Sequence, residues 1–171
     1  MKKHAVYPGT FDPLTLGHLD LIERSAKIFS RLTVAVAATS VKKGAMFEMD
    51  ERMAMIRESC VAAGLTNVDV APLDCLLVDF CHRFDPLPVV VRGLRVYSDF
   101  EYEFQMALTN RKLSPDVETI FMMPQEEYSY VTASMVREIA HYAGDVSSFV
   151  PAAVVPHVRA YIARLGKEAS K

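Results

Sequence analysis

The sequence predicts an α/β chain: a single domain spanning 1–171, built as a doubly wound sheet of five parallel strands with a C-terminal helical segment. Three observations predict it. Short valine- and alanine-rich runs recur along the chain, longer segments of helical periodicity separate them, and the runs are apolar nearly throughout instead of alternating. The last of these decides the arrangement, because strands that are apolar on both faces belong in a sheet covered by helices on both sides.

The elements follow in order. HAVYP (4–8) is the first strand, and a helix begins near Gly17. LTVAVAA (32–38) leads to a helix near Asp50, where Asp50, Glu51 and Arg52 suit an exposed first turn and Gly64 falls at the expected end. NVDVAPL (67–73) precedes a helix near Cys75, LPVVVRG (87–93) one near Ser98, and VETIFMMP (117–124) one near Ala133 that should stop at Gly144. A last helix is expected from Pro151 to Leu165, and the tail GKEASK should fray. No repeat or linker divides the 171 residues, of which 51% are apolar; such a chain buries roughly 70% of its unfolded surface.

Nineteen basic residues against 21 acidic ones leave a net charge of -2, so no global field holds a long nucleic acid and any anion must be met locally. The start, MKKHAVYPG, is interrupted by Pro8 and Gly9 well short of a signal core or a membrane span, which points to the cytoplasm. Cys60, Cys75 and Cys81 sit in apolar stretches and are expected as reduced, buried thiols. Cys75, Cys81 and His82 lack a second ligand pair at zinc-like spacing.

The chemistry concentrates in YPGTFDPLTLGH, residues 7–18, which runs from a strand end to a helix start. In open α/β sheets ligands sit beyond the carboxyl ends of the strands, where helix N-termini aim unpaired amides outward. Gly9 permits close approach of backbone to a ligand, while Pro8 and Pro13 stiffen the path without demanding amide partners. With Gly17 small and His18 in the first turn, Thr10 and His18 can face one anion from opposite sides of a pocket. Glycine and proline also mark ordinary turns, but the TxGH spacing at a strand-to-helix junction favours a site. Neither GxxxxGK[ST] nor GxGxxG occurs, which removes support for kinase-type and dinucleotide-binding mechanisms.

Other loops reach the same rim. Lys42 and Lys43 of TSVKKGAMF follow the second strand, where a solvated surface pair is the plain alternative. Arg92 and Arg95 flank Gly93 after the fourth strand; they either present forked donors to phosphate or pair with Asp99, Glu101 or Glu103. In MMPQEEYSYVTASMVRE, Thr132 and Ser134 stand where hydroxyls cap a helix or meet an anion. Leu76 and Leu77 of PLDCLLVDF read as core.

The first block resembles the signature of the nucleotidyltransferase superfamily, in which (H/T)xGH opens the first helix, here Thr15, Leu16, Gly17 and His18. RGLRVYSDFEYEFQMALTNR and YVTASMVRE narrow the resemblance, over essentially the whole chain, to the phosphopantetheine adenylyltransferases of bacterial coenzyme A biosynthesis. It implies a Rossmann-like fold and reversible transfer of an adenylyl group from ATP to 4'-phosphopantetheine, giving dephospho-coenzyme A and pyrophosphate. His18 is then the transition-state stabiliser, with Thr10, Lys42 and Arg95 as further catalytic residues. The implied ATP site comprises Thr10, Phe11, His18, Gly93, Leu94, Arg95, Glu103, Tyr128, Ser129, Tyr130, Val131, Thr132, Ala133 and Ser134, and the phosphopantetheine site Thr10, Lys42, Leu77 and Arg92. One extra residue before Phe47 leaves Lys42 and Lys43 both open for the phosphate role, and Ala133 replaces the middle serine of the superfamily's ISSTxxR. Magnesium is expected on the ATP phosphates with no protein ligand evident. The implied partners are ATP and 4'-phosphopantetheine, with no nucleic acid and no membrane, in a homohexamer arranged as a dimer of trimers.

Overall fold

The computed structural model describes residues 3–38, 45–95 and 97–168, with all their side chains except those of 97–99, 167 and 168. Strands and helices alternate: β1 (His4–Gly9), α1 (Leu16–Ile28), β2 (Arg31–Ala37), α2 (Met49–Ala62), β3 (Val68–Leu73), α3 (Leu77–Cys81), β4 (Val89–Gly93), α4 (Tyr97–Leu113) and β5 (Thr119–Met122), then α5 (Ala133–His141) and α6 (Val155–Glu168). The strands form one parallel sheet in the order β3-β2-β1-β4-β5. The chain winds outward on one side of β1, then crosses to the other side for β4 and β5. That reversal leaves a crevice between the carboxyl ends of β1 and β4, where open α/β sheets take their ligands.

Each central strand feeds two cores, which is why its sequence shows no polar alternation. Ala5 and Tyr7 of β1, Leu32, Val34 and Val36 of β2 and Val91 of β4 enter the larger core with Leu21 and Ile22 of α1, Met55 and Ile56 of α2, and Val136 of α5. The intervening Val6, Ala35 and Val90 enter a smaller one with Val78, Phe80 and Cys81 of α3. Ile22 and Ile56 have no exposed surface, a burial that stabilises by about 1.5–3 kcal/mol each.

All the expected strands are present; the helices differ in instructive places. α3 is only Leu77–Cys81, starting after Cys75 and stopping before Pro86 and Pro88, which cannot continue a helix. α6 begins at Val155 instead of Pro151, because Pro156 is tolerated only in a first turn. At the end of α5 the left-handed residue is Ala143 (φ 55°), not Gly144; a Cβ on Gly144 would lie 2.8 Å from Ile139 Cγ2 and 3.2 Å from Ile139 O. Arg52 is not in an exposed turn. It is 3% exposed, on the inward stripe Arg52, Met55, Ile56, Ser59 and Cys60 of α2, while Asp50 stays outside. Cys60 and Cys81 are buried as expected, whereas Cys75 is half-buried beside α3; all three are free thiols.

Candidate active site

Pro8 opens the crevice. β1 pairs with β2 as far as Gly9, but with β4 only through Ala5–Val89 and Val6–Val90. In a strand the N–H and C=O of one residue point the same way, and the Pro8 carbonyl faces β4, where it accepts Arg92 Nη1 at 3.1 Å. The amide that would have continued the β1–β4 ladder is therefore the one proline lacks. Beyond Val6 the two strands are bridged by a side chain instead of by main chain.

The crevice widens into a cavity of about 420 Å³. Of the predicted residues, Thr10, Phe11, His18, Leu77, Arg92, Gly93, Arg95 and Glu103 all line it. Three loops and α4 thus converge on one space.

His18 is held from its own helix start. Thr15 caps α1; its backbone N–H donates to His18 Nδ1 at 3.1 Å, and the His18 N–H donates to Thr15 Oγ1 at 3.4 Å. Phe11 packs edge-on against the imidazole with centroids 5.2 Å apart, in a left-handed backbone conformation (φ 49°) that turns its ring back over Gly9. A Cβ on Gly9 would come within 2.8 Å of that ring, so the close approach Gly9 permits is to Phe11. Burial, and then the nearby Arg95 guanidinium, push the His18 pKa down to about 3. The ring is neutral, Nδ1 is occupied as an acceptor, and Nε2 carries the proton. It is a neutral hydrogen-bond donor at the cavity wall.

Arg92 and Glu103 form a bidentate pair, Nε to Oε2 at 2.5 Å and Nη2 to Oε1 at 2.6 Å. The pairing alternative for Arg92 is thus realised with Glu103, yet both side chains still line the cavity. A guanidinium has five N–H donors; Glu103 and Pro8 take three, leaving one on each Nη for an anion. Arg95 Nη1 donates to the Val131 carbonyl at 3.3 Å, tying the β4 loop to the segment before α5.

That segment does not line the cavity. Tyr128 lies against Gly17, where a Cβ would meet its carbonyl at 3.4 Å; Val131 is buried and Tyr130 is exposed. Thr132 caps α5 by accepting the Met135 N–H at 3.1 Å, Ser134 Oγ accepts from Arg137 at 3.2 Å, and Ser129 Oγ donates to Glu126 O. Ala133 is the first residue of α5. Leu94 donates its N–H to Met122 O at 2.9 Å, and Leu76 is exposed outside the cavity. Lys42 and Lys43 lie outside the described residues.

Sequence reasoning missed Tyr7, Met106 and Asn110, which also line the cavity. The last two had a signal: on a helix, Met106 and Asn110 share the face of Glu103 at i+3 and i+7. Tyr7 had none, since a tyrosine in a buried strand reads as core; burial raises its phenol pKa well above the usual value.

One other polar cluster looks like chemistry and is not wired for it. His82 Nε2 meets Ser114 Oγ at 2.8 Å, and that hydroxyl donates to Asp116 Oδ1 at 2.5 Å. The serine proton is committed to the carboxylate, so the imidazole cannot act as its base. Among the described residues, no helix is long and apolar enough to cross a membrane.

Known proteins match this arrangement. The cytidylyltransferase-like family matches residues 6–139. A phosphopantetheine adenylyltransferase of Methylococcus capsulatus (strain ATCC 33009 / NCIMB 11132 / Bath) is 49% identical over 164 residues, 96% of each chain. Among solved structures, one from Vibrio parahaemolyticus described as a nicotinate-nucleotide adenylyltransferase superposes with a TM-score of 0.68 at 18% identity, over 96% of this chain and 93% of that one. A bifunctional NMN adenylyltransferase/ADP ribose pyrophosphatase from Francisella tularensis gives 0.72 at 14% identity, over 95% of this chain and 50% of that one. At those identities the two structures speak for the fold, and the sequence relative speaks for the branch. With the strand order, the cavity at the β1/β4 reversal and the TxGH helix start in agreement, the chain belongs to the cytidylyltransferase-like nucleotidyltransferases and, within them, to the phosphopantetheine adenylyltransferase family.

Proposed function

We propose that this chain transfers the adenylyl group of ATP to the phosphate of 4'-phosphopantetheine, reversibly, giving dephospho-coenzyme A and pyrophosphate. The observation that carries the reading is the convergence of a neutral imidazole donor, His18, and two guanidinium groups, Arg92 and Arg95, on one cavity at the β1/β4 reversal. A phosphate oxygen of the acceptor bonds to the α-phosphorus of ATP, and the bond from that phosphorus to the departing pyrophosphate breaks. The nucleophile is an anion and needs no general base, so the work is alignment and stabilisation of charge on the pentavalent phosphorus.

His18 Nε2 donates to the oxygens of that phosphorus, where charge accumulates. Thr10 orients the attacking phosphate, Arg92 holds the acceptor's phosphate through its two remaining N–H groups, and Arg95, with Lys42, holds the ATP phosphates. Leu77 contacts the pantetheine arm. Phe11, Gly93, Leu94 and residues 128–134 frame the nucleotide. Among the described lining residues Glu103 is the one carboxylate, and Arg92 takes both its oxygens. This donor set fits a magnesium ion held by the ATP phosphates and not by the protein; when bound, it neutralises phosphate charge.

The enzyme is read as cytoplasmic, in keeping with its three free thiols, and as a homohexamer built as a dimer of trimers. Support for assembly comes from the outer face of α4, where Phe100 and Phe104 stack at 5.6 Å and stand about half exposed beside Leu108. Light scattering on the purified chain tests the hexamer. Pyrophosphate release with ATP and a panel of phosphate acceptors tests the reaction: turnover is expected with 4'-phosphopantetheine, and a preference for nicotinamide mononucleotide or glycerol phosphate would overturn the reading.

A further inference from the structure

Helix α2 carries one charge on its buried face. Arg52 is 3% exposed; its Nη1 donates to Thr10 O at 2.8 Å and to Ala37 O at 2.9 Å, and its Nε is buried without a partner. Among the described residues no carboxylate pairs with it. A buried guanidinium without a counter-charge is a poor way to gain stability, and an apolar side chain would complete the stripe with Met55 and Ile56 at lower cost. Its presence there is therefore better explained by what it holds.

Thr10 follows β1 and Ala37 ends β2, and both line the cavity. One nitrogen with two hydrogens, fixed in a plane, sets the spacing and direction of both carbonyls; a lysine ammonium is a rotor and does not. The other flank of Thr10 is held by Asp12, also 3% exposed, whose carboxylate accepts the N–H groups of Met46 and Phe47, each at 2.9 Å. Arg137 donates to the Asp12 carbonyl at 2.6 Å. Two buried side chains of opposite charge thus bond to main chain, Arg52 to the carbonyls of Thr10 and Ala37 and Asp12 to the amides of Met46 and Phe47, not to each other.

We infer that Arg52 is a positioning residue for adenylyl transfer: through the carbonyls of Thr10 and Ala37 it sets the Thr10 hydroxyl against the reacting phosphates. The inference rests on the adenylyl-transfer reading above. Its signal in the sequence is the spacing that places Arg52 three and four residues before Met55 and Ile56.

The test is a double-mutant cycle on the full chain, with steady-state kinetics on ATP and 4'-phosphopantetheine and a thermal melt for wild type, Arg52→Lys, Thr10→Val and the double variant. Arg52→Lys should lower kcat about 10- to 10²-fold, the effect of misplacing a reacting group, while KM for ATP stays within about threefold. In the Thr10→Val background the same change should lower kcat by less than about threefold, because the hydroxyl that Arg52 orients is gone. Equal losses in both backgrounds overturn the inference, as does wild-type kcat in either single variant. Should the lysine variant fail to melt cooperatively, Arg52→Gln, an uncharged amide donor, replaces it under the same criterion. An inactive wild-type chain would instead overturn the adenylyl-transfer reading itself.

Discussion

Thr15 and His18 hold each other through two main-chain amides: the Thr15 N–H donates to His18 Nδ1 at 3.1 Å, and the His18 N–H donates to Thr15 Oγ1 at 3.4 Å. The cap that starts α1 therefore also selects the tautomer of the imidazole. Nε2 is left as the donor.

Losing that donor should matter more than losing the ring. His18→Ala is expected to lower kcat by about 10²- to 10³-fold with ATP binding largely kept, the scale of one transition-state donor. His18→Gln, whose amide nitrogen can reach the place of Nε2, should lose less. Steady-state turnover of the two variants checks this, and equal losses would show that the donated hydrogen bond is not what His18 contributes.

Acid should expose the burial of His18. Its folded pKa of about 3 lies below the ordinary 6.5, so between those values the unfolded chain binds more protons and stability rises with pH. The contribution is complete above pH 6.5 and is lost as pH falls toward 3. Urea unfolding at several pH values between 4 and 7.5 should show a flatter dependence for His18→Gln than for wild type; parallel curves would contradict the assigned shift.

The Arg92–Glu103 pair makes two separable predictions. Arg92→Ala should weaken 4'-phosphopantetheine more than ATP, read as unequal rises in the two KM values. Glu103→Ala removes two of the three acceptors of a largely buried guanidinium, 23% exposed against 13% for the carboxylate, and should cost about 1–3 kcal/mol in chemical denaturation. Equal KM rises would undo the first assignment, and unchanged stability the second.

Thiol chemistry should follow burial. Cys60 and Cys81 have pKa values pushed up to about 11 by burial, while Cys75 is half-buried beside Arg83. Alkylation of the folded chain near pH 7.5, followed by peptide mass spectrometry, should label Cys75 first and reach the other two only in denaturant.

Gly144 is required for space. In Gly144→Ala the new methyl meets Ile139 at 2.8 Å and must displace it, at a cost of about 1–3 kcal/mol. A thermal melt matching wild type would show that the α5 terminus relaxes freely.

The sequence by itself determined the five strands, their parallel, doubly wound arrangement and the rim where the loops gather, because these depend on local period and on glycine, proline and capping residues close together in the chain. The TxGH helix start belongs to this class, since Thr15 and His18 are three residues apart and cap each other within one turn. Whether Arg92 would turn to Glu103 or to an anion was not settled there: the answer depends on where α4 lies against the end of β4. Arg52 was misread for a related reason. Its helix has charged residues all around its first turn, and only packing against β1 and β2 shows which of them faces inward. The tertiary structure decided these partnerships because a buried charge takes whichever acceptor the fold brings within about 3 Å, and those acceptors lie 42 and 15 residues away along the chain.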